Sequence, residues 1–343
     1  MCLASITDVA RLAQVGTSTV SRVLSGKGYV SKSTRQRVLE AVEALHYVPN
    51  ELARNLLQNR TSIIAVIVPD VSNYFFSALV NELECHLRKQ GYKTMLCNSL
   101  GSQTNEEAYL NMLACNMVDG VITCSNLTCS NLLDGAYYTR ITRPVVSLDS
   151  VLSPDIPMVC ADHRMGGQAA ASMLIRAGCR HILQFRDSVS DRLKGNPQSA
   201  GVSLEDFPYT QRHVEFQKAV EAAGVRYSEI VLGDAVHMEA LRQYAHEAFA
   251  LYPDADGVMA TDVIALQYAH SAMAHGKRIP EDVKVVAYDG TDLVRLFYPE
   301  VCAIVQPVGE IAKTAVELLL RQIEGKPILN KRVVLPVSVI NKL

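Results

Sequence analysis

The chain carries aspartates at the ends of several short apolar runs, where a parallel sheet would present them to a ligand. An ionised carboxylate accepts hydrogen bonds from several hydroxyls at once, which suits a polyhydroxylated ligand. Ligands of open α/β sheets bind outside the carboxyl ends of the strands. Aspartate is also a good helix N-cap, so each residue has a structural alternative. The polar residues at such positions are Asp70, Ser125, Asn126, Asp149, Asp162, Thr261, Asp262 and Asp289.

A second set of polar residues lies near the N-terminus and has the chemistry of base recognition. Thr17, Ser18, Thr19 and Ser21 supply short hydroxyls, and Arg22 supplies a guanidinium. Arginine can pair bidentately with guanine, and short hydroxyls reach bases or phosphates without blocking close approach. The alternative is the polar outer face of an ordinary helix.

Three short helices are predicted around this second set. Ser5-Ile6-Thr7-Asp8 has the spacing of a capping box, which starts a helix. The apolar stripe breaks at residues 13–16, a second stripe follows, and a third helix begins at Ser31. This is the layout of a helix-turn-helix, whose second helix presents its N-terminal residues to the major groove. A generic three-helix core is the alternative. The stripes are Ile6, Val9, Ala10 and Ala13, then Val20, Val23 and Leu24, then Val38, Ala41, Val42 and Leu45.

Charge is distributed unevenly along the chain, although the whole chain carries only −2. Residues 1–60 contain eight Lys or Arg against four Asp or Glu, and the other residues contain 25 basic and 31 acidic side chains. A basic head on an acidic body indicates that the head binds a polyanion and the body does not. A solvated charged surface is the alternative.

Other classes of protein are disfavoured by the composition and by missing motifs. With 343 residues, 49% hydrophobic and 20% charged, the chain is expected to fold as several domains. No apolar run is long enough for a membrane span, and no signal peptide is recognisable, so we expect a cytoplasmic protein with no membrane partner. P-loop, nucleophile-elbow, zincin and dinucleotide-binding motifs are missing, so we expect neither an enzyme nor a cofactor.

The nine cysteines and nine histidines are dispersed along the chain. No C-x-x-C pair occurs, and the cysteines are interpreted as reduced, mostly buried residues. A zinc site is the alternative, with Cys124 and Cys129 as the nearest pair, but no second pair follows. We therefore expect no bound metal.

From residue 61 onward, short β-rich runs alternate with helical patterns. This rhythm predicts βαβ units in two doubly wound, parallel-sheet lobes behind the all-α head. The predicted boundaries are a helix-turn-helix domain at 1–48, a linker at 49–60 and a two-lobed body at 61–343. The first lobe is expected at about 61–161 and 291–323, and the second at about 162–290 and 324–343.

The residues themselves resemble the lactose-repressor (LacI/GalR) family of bacterial transcription regulators. The resemblance is carried by ITDVARLAQVGTSTVSRVL, VSKSTRQRVLEAVEALHYVPNELARNLL and IIAVIVPD, and it continues to the C-terminus. It implies a periplasmic-binding-protein-like body. Gln14 stands where the family usually has glycine, and Gly16 stands where the family usually has the serine that caps the recognition helix. Glycine is an acceptable N-cap, only a few tenths of a kcal/mol poorer.

For the head and linker, the resemblance implies operator contacts. Residues 50–58 are too short for an independently stable helix, so they should order only when docked. In the family this segment is the hinge helix, which folds in the minor groove and wedges a leucine between base pairs. A linker helix packed on the body is the alternative. The implied DNA-binding residues are Thr7, Thr17, Ser18, Thr19, Ser21, Arg22, Asn50, Ala53 and Leu56.

For the body, the resemblance implies an effector site between the lobes. Arg212 of QRHVEF matches the family's R-x-x-G-F pattern, with Glu215 in place of the usual glycine. The stretch 186–211 is longer than expected for the family, has the composition of a loop and is positioned to shape or cover the cleft. The expected effector-binding residues are Asp70, Phe76, Asn126, Asp149, Arg212, Asp262 and Asp289.

We therefore predict a homodimeric, operator-binding repressor of carbohydrate-utilisation genes that is controlled by a small sugar. The YDGT-x-L-x-x-x-x-YP stretch around Asp289 weakly resembles members that control sucrose and other oligosaccharide operons. Residues 76–90 and the helix after Val263 are the expected dimer face. A purine or nucleoside effector, a protein corepressor, and an activator or effector-blind regulator are the alternatives.

Overall fold

The structure is a computed structural model of the chain, and it describes residues 4–26, 28–48, 60–115, 117–124, 143–188, 191, 207–233 and 238–340. The chain divides into two compact units, Met1–Thr61 and Ser62–Leu343. We call these units the head and the body. Helices and strands are numbered below in chain order.

In its described residues, the head contains three helices around one small core. Ser5 Oγ accepts a hydrogen bond from the Asp8 backbone, and the Asp8 carboxylate accepts one from the Ser5 backbone, which forms the predicted capping box. Val9, Val20 and Val38 are fully buried at the centre. The predicted helix-turn-helix layout is confirmed. The bounds are α1 Ile6–Leu12, α2 Thr17–Ser25 and α3 Lys32–Ala44.

The first lobe of the body is a parallel sheet in the order β11-β5-β4-β3-β1-β2. Strand β1, which lies between β3 and β2, is apolar throughout, as expected for a strand covered by helices on both faces. The strands are β1 Ile63–Val68, β2 Lys93–Asn98, β3 Gly120–Thr123, β4 Val145–Leu148, β5 Met158–Ala161 and β11 Arg332–Leu335. The helices of this lobe are α4 Tyr74–Lys89, α5 Gln103–Ala114 and α11 Val308–Ile323.

The second lobe is a sheet in the order β12-β10-β9-β8-β6-β7, in which only the pairing of β12 with β10 is antiparallel. Its strands are β6 His181–Arg186, β7 Arg226–Val231, β8 Gly257–Thr261, β9 Lys284–Asp289, β10 Cys302–Val305 and β12 Ser338–Ile340. Its helices are α6 His163–Arg176, α7 Gln211–Ala222, α8 Met238–Leu251, α9 Asp262–Ala274 and α10 Asp292–Phe297.

The predicted late lobe boundaries, near residues 291 and 324, are wrong. Strand β10 pairs with β9, so the chain stays in the second lobe through residue 305. It then crosses into α11 of the first lobe, and β11 pairs with β5 before the chain returns to β12. Strand pairing decides these crossings, because a short apolar strand has the same local pattern in either sheet. Three crossing segments therefore join the lobes, near residues 162, 306 and 336.

Candidate functional site

The predicted recognition surface of the head is the outer face of α2. Thr17, Ser18, Ser21 and Arg22 are exposed on this face, whereas Thr19 is half-buried. The opposite face is held in the core by Val20 and Val23. A single face of α2 thus presents short hydroxyls and one guanidinium, as base recognition requires.

The turn before α2 accommodates both departures from the family pattern. Gln14 adopts a left-handed backbone with φ of 51°, the conformation that glycine takes most easily. Gly16 starts α2 as N-cap with an extended backbone and no side-chain hydrogen bond. The helix-turn-helix is therefore intact despite the Gln14 and Gly16 replacements.

The other predicted DNA-binding residues are placed only in part. Thr7 is exposed on α1. Asn50, Ala53 and Leu56 lie outside the described residues. Tyr29, in the loop after α2, was not singled out by the sequence reasoning and is 92% exposed. Its position directly after a glycine, in a loop with no apolar periodicity, is the signal that was available.

In the body, Asp149 lies at the end of β4 and bonds to a residue beyond the first crossing. Its backbone is left-handed, with φ of 54°, and its Oδ1 lies 3.0 Å from Nε2 of His163. His163 is the first residue of α6, and its Nδ1 lies 3.2 Å from the hydroxyl of Tyr288 on β9. Asp149 is thereby connected to the second lobe through a buried imidazole.

Arg212 lies at the start of α7 and faces the end of β9. Its Nη1 is 3.7 Å from Oδ1 of Asp289, and its Cζ is 4.9 Å from the centre of the Tyr288 ring. Gln306, in the second crossing, donates to Asp289 Oδ1 at 2.8 Å. Asp289 adopts φ of 126°, which aspartate rarely takes and which aims its side chain away from the ordinary strand direction. Three predicted effector-binding residues are thus connected around Tyr288: Arg212, Asp289 and Asp149.

Asp262 has a supporting role beside this group. Its carboxylate accepts hydrogen bonds from the backbone of Gly290 and from the backbone and hydroxyl of Thr291, at 2.7 to 3.1 Å. These bonds hold the loop that follows Asp289. Gly290 also packs so tightly that a Cβ would lie 2.7 Å from Val305. Asp262 therefore shapes the backbone at the site, and a direct contact of Asp262 with an effector stays a prediction.

Two of the strand-end aspartates bond within the turns that follow them, and Asp162 has the helix-capping role that was its structural alternative. Asp70 accepts from the backbone and hydroxyl of Ser72, at 2.9 and 2.8 Å. Asp162 caps α6 by accepting from the Met165 backbone at 2.9 Å. Phe76 is half-buried against the core, with its ring edge-on to that of Phe75. Ser125 and Asn126 lie outside the described residues.

Close packing of α6 against α7 fixes the start of α7, where Arg212 lies. A Cβ on Gly167 would collide with the Arg212 backbone oxygen, and a Cβ on Gly166 would collide with the Tyr288 hydroxyl. Glu215, in place of the family's glycine, reaches across to α6 and accepts from Gln168 at 2.9 Å. Glu215 therefore contributes a contact between α6 and α7. Most of the long loop at 186–211 lies outside the described residues.

Several residues of this site were missed by the sequence reasoning. His163 and Gln306 lie beside a predicted residue or in a crossing segment, and no motif distinguishes them. Tyr288 opens the YDGT stretch, but no role was assigned to its side chain. The paired glycines Gly166 and Gly167, near the start of a helix, were a usable signal, because glycine inside a helix weakens it unless close packing requires it. Within the described part of the chain, no three His, Cys, Asp or Glu side chains are placed to hold a metal ion. Among those same residues, no helix has the length and apolar character to cross a membrane.

The buried carboxylates predict a decline of stability with rising pH. Burial raises the pKa of Asp289 from 3.8 to about 8; Asp262 adds to this rise and Arg212 opposes it. Burial also raises the pKa of Asp262 to about 6. Between the ordinary and raised pKa values the folded protein binds more protons than the unfolded chain. The free energy of unfolding should therefore fall as pH rises from about 4 to about 8, by at most about 1.4 kcal/mol per pH unit for each proton.

Urea unfolding at several pH values checks this prediction. The free energy of unfolding of Asp289→Asn should depend less steeply on pH than that of the wild type, because the variant lacks the carboxyl group that binds the proton. Asp292→Asn, at an exposed position of α10, is the matched control and should keep the wild-type slope. Equal slopes for the wild type and Asp289→Asn would contradict the assignment.

Comparisons with known proteins agree with both units. Residues 5–50 match the bacterial regulatory proteins of the lacI family, and residues 171–342 match the periplasmic binding protein-like domain. The lac repressor dimer bound to operator and the anti-inducer ONPF shares the fold, with a TM-score of 0.81 at 21% identity. The match covers 99% of this chain and 98% of that chain.

Two relatives match along nearly the whole chain. The ribose operon repressor of Halalkalibacterium halodurans is 33% identical over 339 residues, 98% of this chain and 96% of that protein. The sucrose operon repressor of Streptococcus mutans is 33% identical over 342 residues, 99% of this chain and 98% of that protein. The predicted fold class and family resemblance are confirmed. The chain therefore belongs to the lacI family of bacterial regulatory proteins.

Proposed function

We propose that this protein is a homodimeric repressor of carbohydrate-utilisation genes, and that a neutral sugar that binds between the lobes controls its affinity for operator DNA. The observation that carries the proposal is the convergence of Arg212, Asp289 and Asp149 at the crossings between the lobes. A guanidinium can donate hydrogen bonds to two hydroxyls at once, and carboxylates can accept hydrogen bonds from other hydroxyls. This set of side chains therefore suits a polyol. The exposed hydroxyls and Arg22 of α2 supply the DNA-binding half.

The charge of the site favours an uncharged sugar over a sugar phosphate. Among the described residues, the Arg212 guanidinium lies beside Asp289. Burial and the charges of Asp262 and Asp149 raise the pKa of Asp289, and Arg212 only partly opposes this rise. A phosphate dianion would add further like charge to this buried group. The relatives named ribose operon repressor and sucrose operon repressor support a role in carbohydrate regulation.

The proposed dimer face includes a groove of the second lobe. The groove has a volume of about 990 Å³, lies between α8, α9 and α10, and is reached by Tyr74 of α4. Phe297 of α10 lines this groove and is 67% exposed, and the adjacent Leu296 is 73% exposed, so two large apolar side chains of α10 face solvent. A second copy of the chain would bury them, which agrees with the predicted role of α4 and α9.

Calorimetric titration of the full chain tests the proposed function. The ligands are sucrose, D-ribose, ribose 5-phosphate, sucrose 6-phosphate, hypoxanthine and guanine. We expect binding of an unphosphorylated sugar and at least about a tenfold preference over its phosphate. That sugar should also change the affinity for an operator selected from random DNA. Binding only of a nucleobase would replace the sugar by a purine effector, and binding of none would contradict effector control by these classes.

A further inference from the structure

We propose that His163 is a positioning residue that holds Asp149 in the effector site and couples this carboxylate to the second lobe. The inference rests on the proposed function for the identity of the site. It goes beyond that function by assigning a role to a histidine that neither the family pattern nor the strand-end pattern distinguishes.

The hydrogen bonds of His163 join Asp149 to Tyr288, and we call this connection the bridge. Its two ends belong to different lobes. Asp149 follows β4 of the first sheet, and its backbone N–H donates to Val159 O on β5 of the same sheet. Tyr288 is on β9 of the second sheet. His163 begins α6, which packs on α7 and on β8, β9 and β10 of the second sheet. The hydrogen bond between His163 and Asp149 therefore crosses the boundary between the lobes.

The imidazole makes full use of both ring nitrogens in a dry environment. The side chain of His163 is only 1% exposed. One neutral tautomer satisfies both bonds: Nε2–H donates to Asp149, and Nδ1 accepts from the Tyr288 hydroxyl. The ring also lies nearly parallel to the Tyr288 ring, at an interplanar angle of 21°. A buried polar group with both bonds made has one preferred orientation, so Asp149 is held in place.

The same chain of contacts continues to the rest of the site. The Arg212 guanidinium lies over the Tyr288 ring, and Asp289 lies between Arg212 and Gln306. Within the described residues no hydrogen bond reaches Oδ2 of Asp149, which leaves that oxygen to accept from an effector hydroxyl. Because Oδ1 is bonded across the boundary, an effector that binds Oδ2 senses the arrangement of the lobes through His163.

A ligand-free measurement tests the bridge. Asp149 and Tyr288 are joined by hydrogen bonds to opposite sides of the His163 ring, so their effects on stability should be coupled only through it. Asp149→Gly removes the acceptor and tolerates the left-handed backbone, and Tyr288→Phe removes only the hydroxyl. Each variant lowers the folding equilibrium constant by some factor. We expect the factor for the double variant to be at least about threefold smaller than the product of the factors for the two single variants. In a His163→Leu background the two losses should multiply. Losses that multiply in the wild-type background would overturn the bridge.

Effector affinity gives the functional readout, with sucrose and D-ribose as probes. His163→Leu should weaken binding of the probe that the wild type binds by about tenfold, the scale of one charge-assisted hydrogen bond. His163→Gln should restore most of the affinity, because its amide can donate to Asp149 and its carbonyl can accept from Tyr288. Equal affinity of the Leu and Gln variants would overturn the positioning role. If the wild type binds neither probe, the sugar assignment fails, while the stability coupling still decides the bridge.

Discussion

Replacing Arg22 by alanine is expected to lower operator affinity about 10- to 100-fold, which corresponds to the ~1–3 kcal/mol of one bidentate arginine–guanine pair. Arg22 lies on the exposed face of α2 with the short hydroxyls beside it. The loss should be specific, so that affinity for unrelated duplex DNA falls far less. The stability of the head should change by less than about 0.5 kcal/mol, because the side chain is exposed.

Arg11→Ala is the matched control for this experiment. Arg11 carries the same charge on α1, where it is 77% exposed and pairs with Asp8. Mobility-shift titrations with the selected operator and with scrambled DNA, at several salt concentrations, separate charge from base readout. Loss of one phosphate contact weakens all sequences alike and reduces the salt slope by about one. Equal losses for the two variants on operator and scrambled DNA would mean that Arg22 acts only as a charge.

Replacing Arg212 by methionine is expected to abolish the response to the effector while leaving operator binding within a few fold of the wild type. Its guanidinium is the group facing Asp289 at 3.7 Å and lies against Tyr288. Loss of two charge-assisted hydrogen bonds to an effector weakens binding about 100-fold or more. Arg212→Lys should recover little of the effector affinity, because an ammonium group cannot donate two coplanar hydrogen bonds to neighbouring hydroxyls.

The stability of the same variants distinguishes a lost contact from a disrupted site. Above the raised pKa of Asp289, about 8, the Arg212→Met variant keeps a buried carboxylate without the guanidinium that faced it, so this variant should also be destabilised there. Adding Asp289→Asn should recover stability without recovering the effector response. Arg164→Met on α6 is the control, since Arg164 pairs with Glu215 at the helix surface, 3.7 Å away. A normal response from Arg212→Met would remove Arg212 from the site.

Much of the head was predictable because its determinants are local. The capping box of Ser5 and Asp8, the N-cap Ser31 and the apolar stripes act within one or two helical turns. The left-handed turn at Gln14 was not predictable from its residue type, because glycine or asparagine is the usual choice there. Packing of α1 against α2 around Val9 and Val20 enforces this turn.

The candidate site in the body was predictable only as a set of strand ends. Asp70, Asp149, Asp162, Asp262 and Asp289 all follow apolar runs, and nothing local distinguishes a ligand-facing carboxylate from a helix cap. The structure separates them by their partners. Asp70 and Asp162 bond to their own turns, Asp262 holds the Gly290–Thr291 loop, and Asp149 and Asp289 bond to residues of the crossings.

The sequence by itself therefore determined the class of protein: a basic three-helix head with a recognition helix, and an acidic α/β body whose polar residues lie at strand ends. These features follow from periodicity, capping and charge, which act over a few residues. The tertiary structure alone decided which lobe holds β10 and β11, and it brought His163 to Tyr288 across 125 residues of chain. Such contacts depend on strand pairing and on the close approach of helices at Gly166 and Gly167, and their free energies appear only when distant segments meet.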